Sequence, residues 1–197
     1  MHLGIFGGSF DPVHDGHLAL ARACQAQAAL DEVWFTPTAV QPLKRSGPVA
    51  SNGQRVEMLE LAIEGETSWR VCRLEVDRGG FSYTVDTLRQ IHEELPEAKL
   101  FFLVGTDALR DVPKWRESAE IFALAAPLVV CRAGQSEPDL SSLARVCQPD
   151  NQPRLIEMQA VDISSTDIRR RVAAGEPIDD LVPGAVVSYI AAHDLYR

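Results

Sequence analysis

The sequence predicts an α/β fold of the Rossmann-like type, in which a doubly wound parallel sheet is followed by a small helical C-terminal extension. Short apolar segments alternate with helical segments from end to end, which is typical of βαβ units with right-handed crossovers. Leu100–Val104 is entirely apolar, as expected for a strand in the middle of a parallel sheet. The first strand runs directly into glycines and then into a helix. In such folds ligands bind in the loops that follow the carboxyl ends of the strands.

Six segments have the composition of strands. Continuous apolar runs or β-branched and aromatic residues favour them, and Pro37 marks the end of the second. The predicted strands are Leu3–Gly7, Val33–Phe35, Arg70–Val76, Leu100–Val104, Leu128–Cys131 and Leu155–Met158.

Five segments carry helix signals. Ser51 and Gln54 form a capping-box pair, Ser82–Thr84 can cap a further helix, and Gly175 is typical of a helix end. The predicted helices are His17–Leu30, one that follows Ser51, one from the Ser82–Thr84 cap to about Leu95, Thr166–Ala174 and Pro183–His193. The segment Ala133–Pro153, rich in Ser, Gln, Pro and Asp, is predicted to be an excursion around one short helix.

Composition limits the class of protein. The 197 residues include 19 basic and 28 acidic side chains, for a net charge of −9. We expect a single domain over residues 1–197, with its helical C-terminal part at about 163–197. The acidic balance disfavours nucleic acid and membrane surfaces as partners. Cys24, Cys72, Cys131 and Cys147 form no C-x-x-C pair, which favours free thiols in a reducing compartment. Without a signal-peptide pattern, a cytoplasmic protein is expected.

The loop after the first predicted strand, residues 7–18, carries the main functional signal. It reads Gly-Gly-Ser-Phe-Asp-Pro-Val-His-Asp-Gly-His-Leu, and it matches neither a Walker loop nor the G-x-G-x-x-G of a dinucleotide site. If a helix begins near Gly16, His14 precedes it and His17 lies in its first turn, where imidazole and backbone N–H donors can bind a phosphate oxygen. The alternative is a purely structural role for the histidines. A zinc-protease pair would need i, i+4 spacing and an adjacent Glu.

Motifs spread over nearly the whole chain carry a family resemblance. They are Gly-Gly-Ser-Phe-Asp-Pro-Val-His at 7–14, Pro37 to Lys44, Arg55 with Met58-Leu59, Arg78 with Ser82-Tyr83-Thr84, Asp86-Thr87-Leu88, Gly105-Thr106-Asp107 with Trp115, Ile163 to Arg169, and the C-terminal Leu-Val-Pro and Leu-Tyr-Arg. His-x-Gly-His alone marks the HxGH nucleotidyltransferase superfamily. With Ser-Tyr-Thr, Asp-Thr-Leu, Asp107 and Trp115, the chain resembles the nicotinate-nucleotide adenylyltransferase family.

This resemblance implies transfer of the adenylyl group of ATP to the 5′-phosphate of nicotinate mononucleotide, giving deamido-NAD and pyrophosphate in NAD biosynthesis. The implied catalytic residues are His14, His17, Lys44 and Arg169. The implied ATP-binding residues are Gly7, Gly8, Ser9, Phe10, His14, His17, Gly105, Asp107, Ser164, Ser165, Thr166 and Arg169. For nicotinate mononucleotide they are Ser9, Lys44, Tyr83, Thr84, Asp107, Trp115 and Arg116. No protein metal site is expected, because Mg²⁺ usually travels with the ATP phosphates.

The chemistry of these residues fits the implied roles. An electron-poor pyridine ring stacks well on the Trp115 indole, and its carboxylate suits backbone N–H groups near Thr84. Ser165 and Thr166 lie at a predicted helix N-terminus, which binds anions. The alternatives are that Trp115 is a core residue, that Ser and Thr are only helix caps, and that Arg169 belongs to a solvated face.

One loop departs from the family pattern. Gln41-Pro42-Leu43-Lys44 stands where the family usually has Pro-Pro-His-Lys, and a leucine donates no hydrogen bond to a phosphate. Three alternatives stay open: a phosphopantetheine adenylyltransferase, a nicotinamide-mononucleotide-preferring enzyme, and a non-catalytic nucleotide-binding sensor. The expected partners are the two small-molecule substrates, with no nucleic acid and no membrane, and the protein is expected to be a monomer or a small homo-oligomer.

Overall fold

A parallel sheet organises the fold. The computed structural model describes residues 1–43, 47–109, 111–132 and 138–197. Its strands are β1 His2–Gly8, β2 Glu32–Pro37, β3 Trp69–Val71, β4 Lys99–Gly105, β5 Ala125–Arg132 and β6 Arg154–Met158. They lie in the order β3-β2-β1-β4-β5-β6, and all neighbouring pairs are parallel. The predicted doubly wound α/β fold is confirmed.

Helices cover both faces of this sheet. They are α1 Asp15–Ala28, α2 Asn52–Ala62, α3 Leu74–Arg78, α4 Thr84–Glu94, α5 Thr106–Leu109, α6 Ser118–Leu124, α7 Ser141–Ala144, α8 Ser165–Ala174 and α9 Gly184–Ala192, with 3₁₀ turns at Val112–Lys114 and Pro149–Asn151. Buried residues of α1, α2, α8 and α9 share one apolar core with the sheet, and those of α4, α6 and α7 share the other. Within the described ranges, every helix is too short to span a lipid bilayer.

The direction of winding changes beside β1. Ile5 of β1 is paired with Trp34 of β2 on one side and with Phe102 of β4 on the other. The chain leaves β1 for β2 and β3, and it returns to β4 on the opposite side. Loops that follow β1 and β4 therefore diverge, which opens a crevice at the carboxyl end of the sheet, where doubly wound folds bind ligands.

One predicted strand is too long. β3 ends after three residues, and Leu74–Arg78 forms α3 instead. Arg73 and Asp77 make an ion pair across one helical turn at 3.4 Å, and Gly79 ends the helix with φ of 68°, a conformation that glycine adopts readily. The prediction of strand for residues 72–76 is therefore wrong.

Candidate active site

Two adjoining cavities occupy the crevice at the carboxyl ends of β1 and β4. The aromatic cavity, of about 420 Å³, is lined by residues that include Tyr83, Phe102 and Trp115. The imidazole cavity, of about 610 Å³, is lined by residues that include His14 and His17. Gly105, the last residue of β4, lines both. Both volumes lie in the range of small-molecule sites.

The two histidines stack at the start of α1. Their ring centroids are 3.7 Å apart. His14 is the N-cap residue of α1, which begins at Asp15, so His14 precedes the helix and His17 lies in its first turn, as expected from a helix start near Gly16. The His14 backbone N–H donates to Nδ1 of His17 at 3.2 Å, which leaves the proton of a neutral His17 ring on Nε2. The Asp15 N–H already donates to the Leu181 carbonyl at 3.0 Å. The start of α1 therefore offers its dipole and the imidazoles rather than a full set of free N–H groups.

His14 is held as a neutral ring. It is 6% exposed, and among the described residues its Nδ1 has no hydrogen-bond partner. Burial lowers the pKa of His14 from 6.5 to about 4, because the charged imidazolium is poorly solvated there. At neutral pH the ring is therefore uncharged and can exchange hydrogen bonds with a ligand without first releasing a proton.

Two neighbours fix the positions of these rings. A Cβ at Gly16 would lie 3.0 Å from Nδ1 of His14, so any side chain at position 16 would have to displace the His14 ring. The Phe10 ring contacts His17 edge-on, with centroids 5.0 Å apart. Phe10 is itself fully buried and lines neither cavity. Its side chain packs against His17 from the core side, so any contact of Phe10 with a ligand would come from its backbone.

The start of α8 closes the other side of the imidazole cavity. Ser164 is the N-cap and accepts the Asp167 N–H at 3.1 Å. The Ser165 hydroxyl donates to the Pro12 carbonyl at 2.9 Å, and Arg169 donates through Nη1 to the Asp11 carbonyl at 2.7 Å. These bonds attach α8 to the loop after β1. The predicted residues Ser164, Ser165, Thr166 and Arg169 thus line one cavity with both histidines.

A buried arginine joins the loops that follow β1 and β2. Arg55 is fully buried and donates to the carbonyls of Ser9 and Thr38, each at 2.6 Å. A third bond at 2.7 Å reaches Oδ1 of Asn52. Burial lowers the pKa of Arg55, and the nearby Asp11 carboxylate opposes that shift. The family-motif arginine therefore shapes the cavity wall without lining either cavity.

The aromatic cavity lies at the start of α4. Tyr83 is the N-cap, and its side chain does not cap the helix. The Arg116 guanidinium lies 4.8 Å from the centre of the Tyr83 ring and also pairs with Asp86 at 3.5 Å. Trp115 is half-buried against Phe102, with centroids 5.8 Å apart. Its indole therefore packs on the core and also lines the cavity with Tyr83, Thr84 and Arg116.

Some predicted site residues line the other cavity or lie outside the residues that the structure describes. Gly7 and Gly8, predicted for ATP, line the aromatic cavity, whereas Ser9 lines the imidazole cavity. Lys44 lies outside the described residues. For Asp107 the structure gives the backbone, which is in α5 directly after β4.

Glu75 in α3 lines the aromatic cavity and is absent from the predicted set. It is 5% exposed, one carboxyl oxygen accepts the Thr87 hydroxyl at 2.8 Å, and Oε2 has no partner among the described residues. Burial raises the pKa of Glu75, which its hydrogen bonds partly oppose. The sequence signal for the position of Glu75 is the pair Gly79-Gly80, because glycine is typical of a helix end and so indicates a helix, not a strand, over the residues just before it.

Comparison with known proteins identifies the family. The cytidylyltransferase-like family model matches residues 5–171. A Roseiflexus sp. (strain RS-1) protein named "Probable nicotinate-nucleotide adenylyltransferase" is 44% identical over 197 residues, covering 99% of this chain and 98% of its own. One of the same name from Clavibacter michiganensis subsp. michiganensis is 41% identical, covering 100% and 94%.

A solved structure, Plasmodium falciparum nicotinic acid mononucleotide adenylyltransferase complexed with NaAD, matches with a TM-score of 0.80. It is 22% identical and covers 99% of this chain and 97% of that chain, which supports the fold. The matches to curated proteins extend over the whole length, including both cavities. The chain therefore belongs to the nicotinate-nucleotide adenylyltransferase family.

Proposed function

We propose that this protein transfers the adenylyl group of ATP to the 5′-phosphate of nicotinate mononucleotide, forming deamido-NAD and pyrophosphate. The observation that carries the proposal is the convergence of two helix starts and two imidazoles on one cavity, next to a second cavity with aromatic walls. The first arrangement suits a polyphosphate, and the second suits a flat ring. The names of the relatives support this choice of substrates.

The imidazole cavity would hold the ATP phosphates. Arg169 supplies a guanidinium, Ser165 and Thr166 lie at the start of α8, and the two rings supply N–H donors. A phosphate monoester with a second pKa near 6 is mostly dianionic at neutral pH, so the attacking oxygen needs no general base. The residues would act by positioning the α-phosphorus for in-line attack and by stabilising the charge that develops on its oxygens. Lys44 would add a further cation, as the family resemblance implies.

The aromatic cavity would hold the nicotinate ring. Trp115 is held by Phe102, which meets its ring edge-on, and by Phe122, which stacks on it with centroids 6.2 Å apart. Stacking of the nicotinate ring on the indole would contribute on the order of 1 kcal/mol beyond burial. The ring carboxylate would accept N–H bonds from the start of α4 at Thr84 and from the backbone at Arg116. Because the Arg116 side chain is occupied by Tyr83 and Asp86, its guanidinium mainly braces the cavity rim.

Mg²⁺ is part of the proposal as a companion of ATP. Among the described residues, no group of three or more His, Cys, Asp or Glu is arranged to hold a metal ion. His14, His17 and Arg169, which line the imidazole cavity, suit anions rather than a cation. The Asp11 carboxylate also lines it, but its oxygens already accept hydrogen bonds from protein donors. We therefore assign no protein ligand to the metal, and Mg²⁺ bound to the phosphates would supply charge neutralisation.

Release of pyrophosphate from ATP tests the proposal. Three acceptors are compared at equal concentration: nicotinate mononucleotide, nicotinamide mononucleotide and phosphopantetheine. Preference for nicotinate mononucleotide is expected, and preference for either of the others refutes the substrate assignment. No release with any acceptor, despite measurable ATP binding, would favour a nucleotide sensor.

A variant pair tests the role assigned to the imidazole cavity. His17→Ala is expected to lower kcat by ~100-fold or more, as for loss of one transition-state donor, with a modest loss of ATP binding. His92→Ala is the matched control, because His92 is an exposed histidine in the last turn of α4. Equal turnover of the two variants would remove His17 from the mechanism.

A further inference from the structure

A second buried acid, Asp11, lines the imidazole cavity. It is 4% exposed, and its carboxylate accepts three hydrogen bonds. Oδ2 accepts the Val49 N–H at 2.7 Å, and Oδ1 accepts the Ala50 N–H at 3.0 Å and the Tyr196 hydroxyl at 2.8 Å. Bonds to a buried ionised group are among the stronger ones in a protein. This carboxylate therefore fixes the positions of two segments that are far apart in the sequence, the one at Val49 and Ala50 and the one at Tyr196.

Two of the groups that Asp11 holds, the N–H groups of Val49 and Ala50, adjoin residues of the cavity wall. Gly47 and Pro48, which directly precede the bonded Val49, line the imidazole cavity. The Asp11 carbonyl accepts the Arg169 guanidinium at 2.7 Å, and the same nitrogen lies 3.7 Å from Oδ2. One residue therefore sets both the 47–50 segment and the direction of Arg169.

Tyr196 is built to stabilise this acid. The residue follows α9, is buried, and has a backbone φ of 65°. Its hydroxyl is a donor, because burial and the Asp11 carboxylate both raise the pKa of Tyr196. A non-glycine residue in this left-handed region is conformationally unfavourable unless its surroundings hold it. The bond to Asp11 is one such contact.

We propose that Tyr196 is a positioning residue for adenylyl transfer. Through the Asp11 carboxylate, Tyr196 orients Arg169 and the 47–50 segment toward the ATP phosphates. The inference rests on the proposed function for the identity of the ligand. It extends the active site to the segment after α9, 185 residues away from Asp11. A purely structural role for Tyr196 would affect the stability of the fold and leave catalysis by the folded protein unchanged.

Tyr196→Phe separates these two roles, with Tyr189→Phe as the matched control. Tyr189 also donates to a carboxylate, Oε2 of Glu57 at 2.5 Å, but this bond is exposed and lies outside both cavities. Urea unfolding first gives the folded fraction of each variant. Tyr196→Phe is then expected to lower kcat/KM for ATP about 10-fold, the equivalent of one hydrogen bond to a charged group. The KM for nicotinate mononucleotide should stay within about twofold, because Tyr196 acts on the other cavity.

A double-mutant cycle with Arg169→Ala identifies the path. If Tyr196 acts through Asp11 and in part through Arg169, its substitution should have a smaller effect once Arg169 is removed, and the effect that remains would come from the 47–50 segment. Wild-type kinetics in Tyr196→Phe, or full additivity with Arg169→Ala, would overturn the inference and leave the proposed function intact. If the wild-type protein released no pyrophosphate, the proposed function would fail. The inference would then be decided by calorimetric ATP binding, with weaker binding by Tyr196→Phe supporting it and equal binding overturning it.

Discussion

The loss of folding stability at acid pH measures how far the fold lowers the pKa of His14. In the folded protein burial lowers the pKa of this ring from 6.5 to about 4, whereas the unfolded chain binds the proton near the ordinary value. The unfolded state therefore gains protons first as the pH falls. Stability that depends on a neutral His14 is complete above pH 6.5 and is lost progressively as the pH approaches 4.

The size of the effect follows from these two values. Each pKa unit of difference corresponds to about 1.36 kcal/mol. Between about pH 7.5 and about pH 5.0, linkage gives a loss of about 2 kcal/mol in the free energy of unfolding from His14 alone. His14→Gln cannot titrate and keeps every other ionisable group. The wild type should therefore lose about 2 kcal/mol more than this variant over the same interval.

Urea unfolding followed by tryptophan fluorescence at both pH values gives the two free energies. Nuclear magnetic resonance of the His14 ring provides an independent check, because the ring should stay unprotonated at pH 5. Equal losses of stability in wild type and His14→Gln, or a ring that titrates near 6.5, would refute the reasoning.

Two further substitutions probe the cavity walls. Gly16→Ala adds a Cβ at 3.0 Å from Nδ1 of His14, and we expect the steady-state kcat to fall about 10- to 100-fold because the ring is displaced. The free energy of unfolding should change little, because alanine favours the helix. An unchanged kcat would contradict this prediction. Glu75→Gln removes a carboxyl whose pKa burial raises. The folded wild type holds that proton more tightly than the unfolded chain, so the contribution of Glu75 to stability falls as the pH rises above the ordinary pKa of Glu. Over about pH 5 to about pH 8, urea unfolding should show the free energy of unfolding of the wild type falling relative to that of the variant, and parallel curves would argue against it.

The alternation of strands and helices made most of the fold predictable. Local composition indicates each of the six strands in the described part of the chain. The inner strands are apolar because they are buried on both faces, whereas the edge strands β3 and β6 are only partly buried. Boundaries were harder. β5 begins at Ala125 rather than at the predicted Leu128, although Pro127 lies inside it. The proline is tolerated because β6 pairs with β5 only from Leu128 onward, so Pro127 has a neighbouring strand on one side alone.

The site was predictable where it depends on sequence neighbours and unpredictable where it depends on packing. His14 and His17 at a helix start follow from their spacing. The assignment of Gly7 to one cavity and Ser9 to the other depends on which way the loop faces after β1. No local pattern indicates that Tyr196 reaches Asp11, since only the packing of the segment after α9 brings them together.

Gly105, which borders both cavities, has a consequence for inhibitor design. With the two cavities assigned as proposed above, a compound that joins a flat aromatic acid to a polyphosphate through a short linker would occupy both simultaneously. Once one end is bound, the other is presented at a high effective concentration, so avidity can greatly exceed the affinity of either half. The same adjacency means that the dinucleotide product must detach at two places before it leaves.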